Sequence, residues 1–372
     1  MRLELVKRPQ QSKLYSALSP FIAFGLTLVA GAFLFAMLGK NPALGLYTYF
    51  VEPLTELWSL HELAVKAAPL ILIAVGLSVC FVSNNWNIGA EGQFTIGAIT
   101  GAALPLYFPD AQTIALLPAM LVCGALGGAV YAAIPALLKA RFNTNEILTS
   151  LMLVYVAQLF LDWLVRGPWR DPAAMSFPQA PAFSSWATLP ELFPMSGRAN
   201  WGIVFALVAA LVVWFMLSRT LKGFEIRVIG QSPRAGRFGG FSTARTIVFA
   251  FLVSGALAGL AGIAEVSGAI GRLQPQISPG YGFAAIIVAF LGRLNPLGIV
   301  AAGFVLALSY LGGEAAQIAV GVTDKTVRAF QGILLFFVLA CDTLIHYQIR
   351  IVRRAPLSEP ASLSTETAHG HG

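Results

Sequence analysis

The residues with the clearest chemical potential run from 83 to 94: Ser83-Asn84-Asn85-Trp86-Asn87-Ile88-Gly89-Ala90-Glu91-Gly92-Gln93-Phe94. They sit between two apolar stretches with almost no room for a loop. A glutamate at membrane depth costs about 3 kcal/mol unless it is paired or wet. Glycines at 89, 92 and 97 interrupt the helix, and broken backbone at that depth survives only against protein or a water-filled cavity. A discontinuous helix end with free N–H groups is a ready site for a solute or ion. Asn87, Glu91 and Gln93 are therefore candidates to bound or support a translocation path. A second reading stays open: a cytoplasmic turn in which Glu91, in the first turn of a helix, answers the helix dipole.

Composition fixes the setting. Of 372 residues, 57% are hydrophobic and 11% charged, against roughly 25% charged in soluble domains. This excludes a cytosolic enzyme, a disordered chain and a free nucleic-acid binder. Lys and Arg exceed Asp and Glu by seven, an excess that membrane proteins place in cytoplasmic loops. Cys80, Cys123 and Cys341 lie in apolar stretches without CxxC spacing and read as small core hydrophobes. No G-x-x-x-x-G-K-[ST], G-x-S-x-G or H-E-x-x-H occurs, so ATP binding through a P-loop and hydrolase chemistry have no visible machinery. No metal or cofactor is expected.

Apolar runs long enough to span cover 20–38, 67–82, 88–108, 114–138, 147–165, 201–218, 246–264, 297–313 and 329–347. A tenth, 283–291, is short and needs tilt, a break or its flanks. The expected fold is an all-α polytopic membrane protein of about ten transmembrane helices with at least one short or broken helix. With both termini cytoplasmic, sixteen of the 24 Lys/Arg fall inside, as the positive-inside rule requires. Residues 1–16 then form a cytoplasmic N-terminus, 17–348 one transmembrane domain and 349–372 a disordered cytoplasmic tail. Residues 41–62 suggest an interfacial helix, 167–200 an extended external loop, and 219–246 a basic, Gly-rich cytoplasmic loop. Lys66 is expected to anchor at the interface. Asp162, Glu265, Glu314 and Asp342, each near a span end, are expected to snorkel or pair. Gly97/Gly101, Gly124/Gly128 and Gly255/Gly259 have GxxxG spacing. That makes a flat face for close helix packing, within the chain or between subunits.

These residues carry a resemblance. Asn87-Ile88-Gly89-Ala90-Glu91-Gly92-Gln93 resembles the N-I-G-A-E-G-Q signature of ABC importer permeases of the simple-sugar and nucleoside type, allied to ribose and branched-chain amino acid permeases. Lys66 to Leu70, Asn145 to Leu153, Arg227 to Phe241, Ser278 to Phe283 and Leu291 to Pro296 resemble further motifs in the same order. Val154 departs from the family, where many relatives carry Asn; Gln231-Ser232 and Gly236 also depart. The resemblance implies a pore subunit, not an enzyme, of a bacterial inner-membrane importer. Its partners would be a second permease chain (paralogous or a second copy), two cytoplasmic ATPase domains and an external solute-binding protein, with no nucleic acid. It places a coupling helix in 219–246, with Phe224, Arg227, Gly230, Pro233 and Arg237 meeting the ATPase. A nucleoside is the first expectation for cargo and a simple sugar the next. A secondary transporter or channel without an ATPase is the alternative.

Overall fold

The computed structural model describes residues 2–7, 13–175, 177–193 and 197–352. Thirteen helices account for most of them. They are α1 (Lys13–Met37), α2 (Pro42–Phe50), α3 (Leu57–Val82), α4 (Ala90–Tyr107), α5 (Leu116–Phe142), α6 (Glu146–Arg166), α7 (Gly202–Arg219), α8 (Leu221–Gln231), α9 (Pro233–Phe238), α10 (Thr243–Glu265), α11 (Tyr281–Leu291), α12 (Pro296–Val320) and α13 (Asp324–His346). A five-residue π-helical turn, Val266–Ile270, prolongs α10. Residues 28–335 form one unit; the described residues of 1–27 and 336–352 form another. In the latter, β1 (Arg2–Lys7) pairs antiparallel with β2 (Tyr347–Val352). The first residues of the expected tail, 349–352, are thus strand; 353–372 lie outside the described residues.

Each of the ten apolar runs coincides with a helix. Among the described residues, six of these are long and apolar enough to cross a membrane by length and composition: α3, α5, α6, α7, α10 with its π turn, and α12. The polar opening of α4 lowers its hydropathy. The eleven residues of α11 rise only about 16 Å, roughly half a hydrocarbon core.

The start of α3 corrects the sequence reading. It begins at Leu57, not near 67. The apolar count stops at Glu62 and Lys66, but both charges are paired: Glu62 with Arg198 at 2.8 Å and Lys66 with Glu314 at 2.8 Å. A partnered charge does not end a helix. Lys66, expected as an interfacial anchor, is half of an ion pair with Glu314. In the segment before it, Tyr49 is buried and bonds Ser309 at 2.7 Å, while Tyr47 and Trp58 are exposed.

The core centres on α10, which packs against α5, α4 and α3. The three GxxxG pairs meet in one seam. A Cβ on Gly97 would lie 2.2 Å from the Gly259 Cα; on Gly128, 2.2 Å from the Gly255 carbonyl oxygen; on Gly259, 2.3 Å from the Gly124 carbonyl oxygen. Backbone therefore touches backbone on both flanks of α10. These glycines serve packing within the chain.

Candidate functional site

The link between α3 and α4 carries the polar cluster. Asn84, in the left-handed region at φ 56°, reverses the chain beyond α3. The non-helical backbone that follows is answered by side chains. Trp86 N–H donates to Glu146 at 3.3 Å and Ile88 N–H to the Ser150 hydroxyl at 3.2 Å. Asn87 is fully buried. Its amide exchanges two 3.0 Å bonds with Gln93, donates to Ser254 at 3.1 Å and accepts from Gly89 N–H at 3.0 Å. This closed amide pair fastens the link to α4 and α10.

Glu91 does something different. Gly89 caps α4 without a side-chain bond, and the Glu91 carboxylate accepts from Gly282 N–H at 2.6 Å, in the first turn of α11. It also bonds Ser278. The Ser278 hydroxyl oxygen in turn accepts from Gly280 N–H at 3.0 Å and Tyr281 N–H at 2.9 Å. Ser278 and Glu91 together satisfy the opening N–H groups of α11. Gly280 stands at φ 102°, which only glycine adopts readily, and so lets the chain enter this half-length helix. Glu91 sits in the first turn of α4 but caps α11. Glu91 thus stands in the first turn of its own helix, where the second reading puts it, and its carboxylate bonds the start of another.

Beside this cap lies a cavity of about 570 Å³, lined by Glu91, Thr95, Tyr155, Gln158, Asp162, Gln276, Ser278 and Phe283 among others. Its size falls in the range of about 300–1,000 Å³ usual for small-molecule sites. Tyr155 and Phe283 offer ring faces; Gln158, Gln276 and Thr95 offer hydrogen bonds in both directions. Asp162 is held by Arg166, whose Nε reaches both carboxylate oxygens at 2.7 and 2.8 Å. Of the three predicted path residues, Glu91 borders the cavity; Asn87 and Gln93 do not line it. Val154 is buried on α6 against Gly92, and its neighbour Tyr155 faces the cavity. Tyr155, Gln158, Gln276 and Phe283 escape a sequence reading because three separate segments bring them together.

The basic loop folds as two helices. In α8, Ile226 and Ile229 are buried, while Phe224 and Arg227 are exposed. Ile226 docks α8 inward. A Cβ on Gly230 would fall 2.0 Å from the Val82 carbonyl oxygen, so α8 is seated on the end of α3 through that glycine. Pro233 opens α9, and Arg234, Arg237 and Phe238 are exposed, Phe238 by 96%. Phe238 is a prominent apolar projection that spacing alone does not single out. Glu225 ties α8 to α10 through the Thr246 hydroxyl and bonds Lys222 at 2.9 Å. Burial would raise the Glu225 carboxyl, but these partners outweigh it and hold it below the usual carboxylate range.

A family profile described as "Branched-chain amino acid transport system / permease component" matches residues 59–339. The chain belongs to this permease family. It is 34% identical to a glucose ABC transporter permease protein of Haloferax volcanii, over 90% of each chain. It is 30% identical to a guanosine ABC transporter permease protein of Bacillus subtilis, over 91% of this chain and 96% of that one. It is 28% identical to a nucleoside ABC transporter permease protein of Lactococcus lactis, over 96% of this chain and all of that one. The chain is a multi-pass permease subunit of an ABC transporter. The motifs at 87–93 and 278–283 are the two that Glu91 joins.

Proposed function

We propose that the chain imports a small neutral polar solute, a nucleoside first, by alternating access driven by ATP hydrolysis on separate subunits. The observation that carries this reading is the cavity at the α11 cap. It combines ring faces (Tyr155, Phe283) with amide and hydroxyl groups (Gln158, Gln276, Thr95), which suits a base and a ribose without demanding an ion. Two relatives are named for nucleosides or guanosine. A simple sugar is the second reading, favoured by the glucose permease of Haloferax, which has the highest identity of the three.

In this reading all ten helices cross or enter the membrane, both termini face the cytoplasm, and the membrane is the bacterial inner membrane. The exposed face of α8 and α9, with Phe224, Arg227, Pro233, Arg237 and Phe238, meets one of two ATPase domains; Gly230 seats that face. A second permease chain completes the pore, and an external binding protein delivers the solute. The test is uptake of labelled adenosine and labelled glucose by the full complex in proteoliposomes. ATP-dependent uptake of adenosine, outcompeting glucose, is the expected result; glucose preferred over adenosine moves the assignment to the second reading. Uptake that needs an ion gradient and no ATPase overturns it.

A further inference from the structure

The charges around the cavity are one-sided. Among the described residues, Glu91 and Asp162 line it, and no Lys, Arg or His does. Asp162 is balanced by Arg166. Glu91 is balanced only by hydrogen-bond donors. Ser278 accepts from two backbone N–H groups, which leaves its own proton for Glu91. With Gly282 N–H as its other donor, Glu91 is placed to accept both bonds, as a carboxylate does. The opening turn of a helix attracts anions, and here that place is taken by an anion belonging to the chain itself.

We propose that Glu91 is the residue that makes the cavity reject anions. Its carboxylate occupies the opening turn of α11 beside the cavity, a position suited to a phosphate, so neutral polyhydroxylated solutes enter and their phosphate esters are turned away. The inference rests on the reading of this cavity as the solute path. Charge decides the selection: like charges a few ångströms apart in a partly dry site repel strongly.

The test uses the complete reconstituted transporter and labelled adenosine, with unlabelled adenosine or adenosine 5′-monophosphate present on both sides of the membrane. The measured quantity is the ratio of the two inhibition constants, which is insensitive to a general loss of rate. In the native chain the ester should inhibit at least about 100-fold more weakly than the nucleoside. In Glu91→Gln, slower overall, that ratio should fall by about tenfold or more. Gln276→Lys, on the exposed lip of the cavity, leaves the bonds of Glu91 untouched and offsets its charge; it should lower the ratio severalfold and serves where Glu91→Gln does not assemble. If the native chain carries glucose, glucose 6-phosphate replaces the nucleotide. An unchanged ratio in an active Glu91→Gln or Gln276→Lys transporter overturns the inference alone. A native transporter that takes up neither adenosine nor glucose overturns the solute reading and the inference with it.

Discussion

The carboxylate of Glu91 lies 2.6 Å from the backbone nitrogen of Gly282, 191 positions along the chain. That one bond joins the opening turns of α4 and α11. It also makes a single side chain both a structural clasp and a wall of the cavity, so its two roles must be separated by substitution.

Glu91→Ala removes shape and charge and leaves Gly282 N–H buried without a partner, a loss of about 1–3 kcal/mol. Glu91→Gln can still accept that bond through its amide oxygen. Both should slow uptake. Thermal unfolding of the purified complex should fall clearly for Ala and little for Gln, with ATPase assembly retained in Gln. Normal uptake by a well-expressed Glu91→Ala chain would reject a transport role for the residue.

Gly259→Leu forces a side chain into a gap already closed by the Gly124 carbonyl oxygen and Gly128. Overpacking of this kind costs about 1–3 kcal/mol or more, and backbone cannot step aside as a side chain would. The expected outcome is poor expression and aggregation on size exclusion. Gly25→Leu, where nothing lies within 4 Å, is the control and should express normally.

Gly230→Leu would lift α8 from the end of α3, because the added Cβ would clash with the Val82 carbonyl oxygen. Arg227→Glu reverses a charge on the exposed face without disturbing that seat. Both should insert, and both should lower solute-stimulated ATP hydrolysis several-fold. Unchanged stimulation in both variants removes the coupling role from this loop.

Single cysteines at Ser184 and Ser232, with Cys80, Cys123 and Cys341 replaced, report orientation. A membrane-impermeant thiol reagent should label Ser184→Cys in intact cells and Ser232→Cys only after permeabilisation. Labelling of both from one side contradicts ten crossings with both ends inside.

Helix positions were legible because apolar runs are local: each of the ten predicted segments overlaps a helix. Their ends were less so. Glu62 and Lys66 look like boundaries until Arg198 and Glu314 are seen beside them. The cluster at 83–94 announces itself by the cost of burying it, but cost does not name a partner. Asn87 finds its own at Gln93, six residues away and within reach of inference. Glu91 finds its own at Gly282 and Ser278, which only tertiary structure supplies. For the same reason the ring and amide groups of the cavity, on α6, on α11 and in the segment before it, gave no joint signal.

The glycine seam also decides what can move. Side chains between helices act as bearings: they change rotamer and let one helix slide past another. Where Gly97, Gly128, Gly255 and Gly259 meet between α4, α5 and α10, backbone lies against backbone, and an ångström of sliding there would drive one into the other. Such close approach favours keeping these three helices together as one block. Whatever change of shape carries a solute across must be taken up around that block. The half-length helix α11 is the element suited to it, since it enters through a glycine at Gly280 and is held to α4 at its first turn by the carboxylate of Glu91.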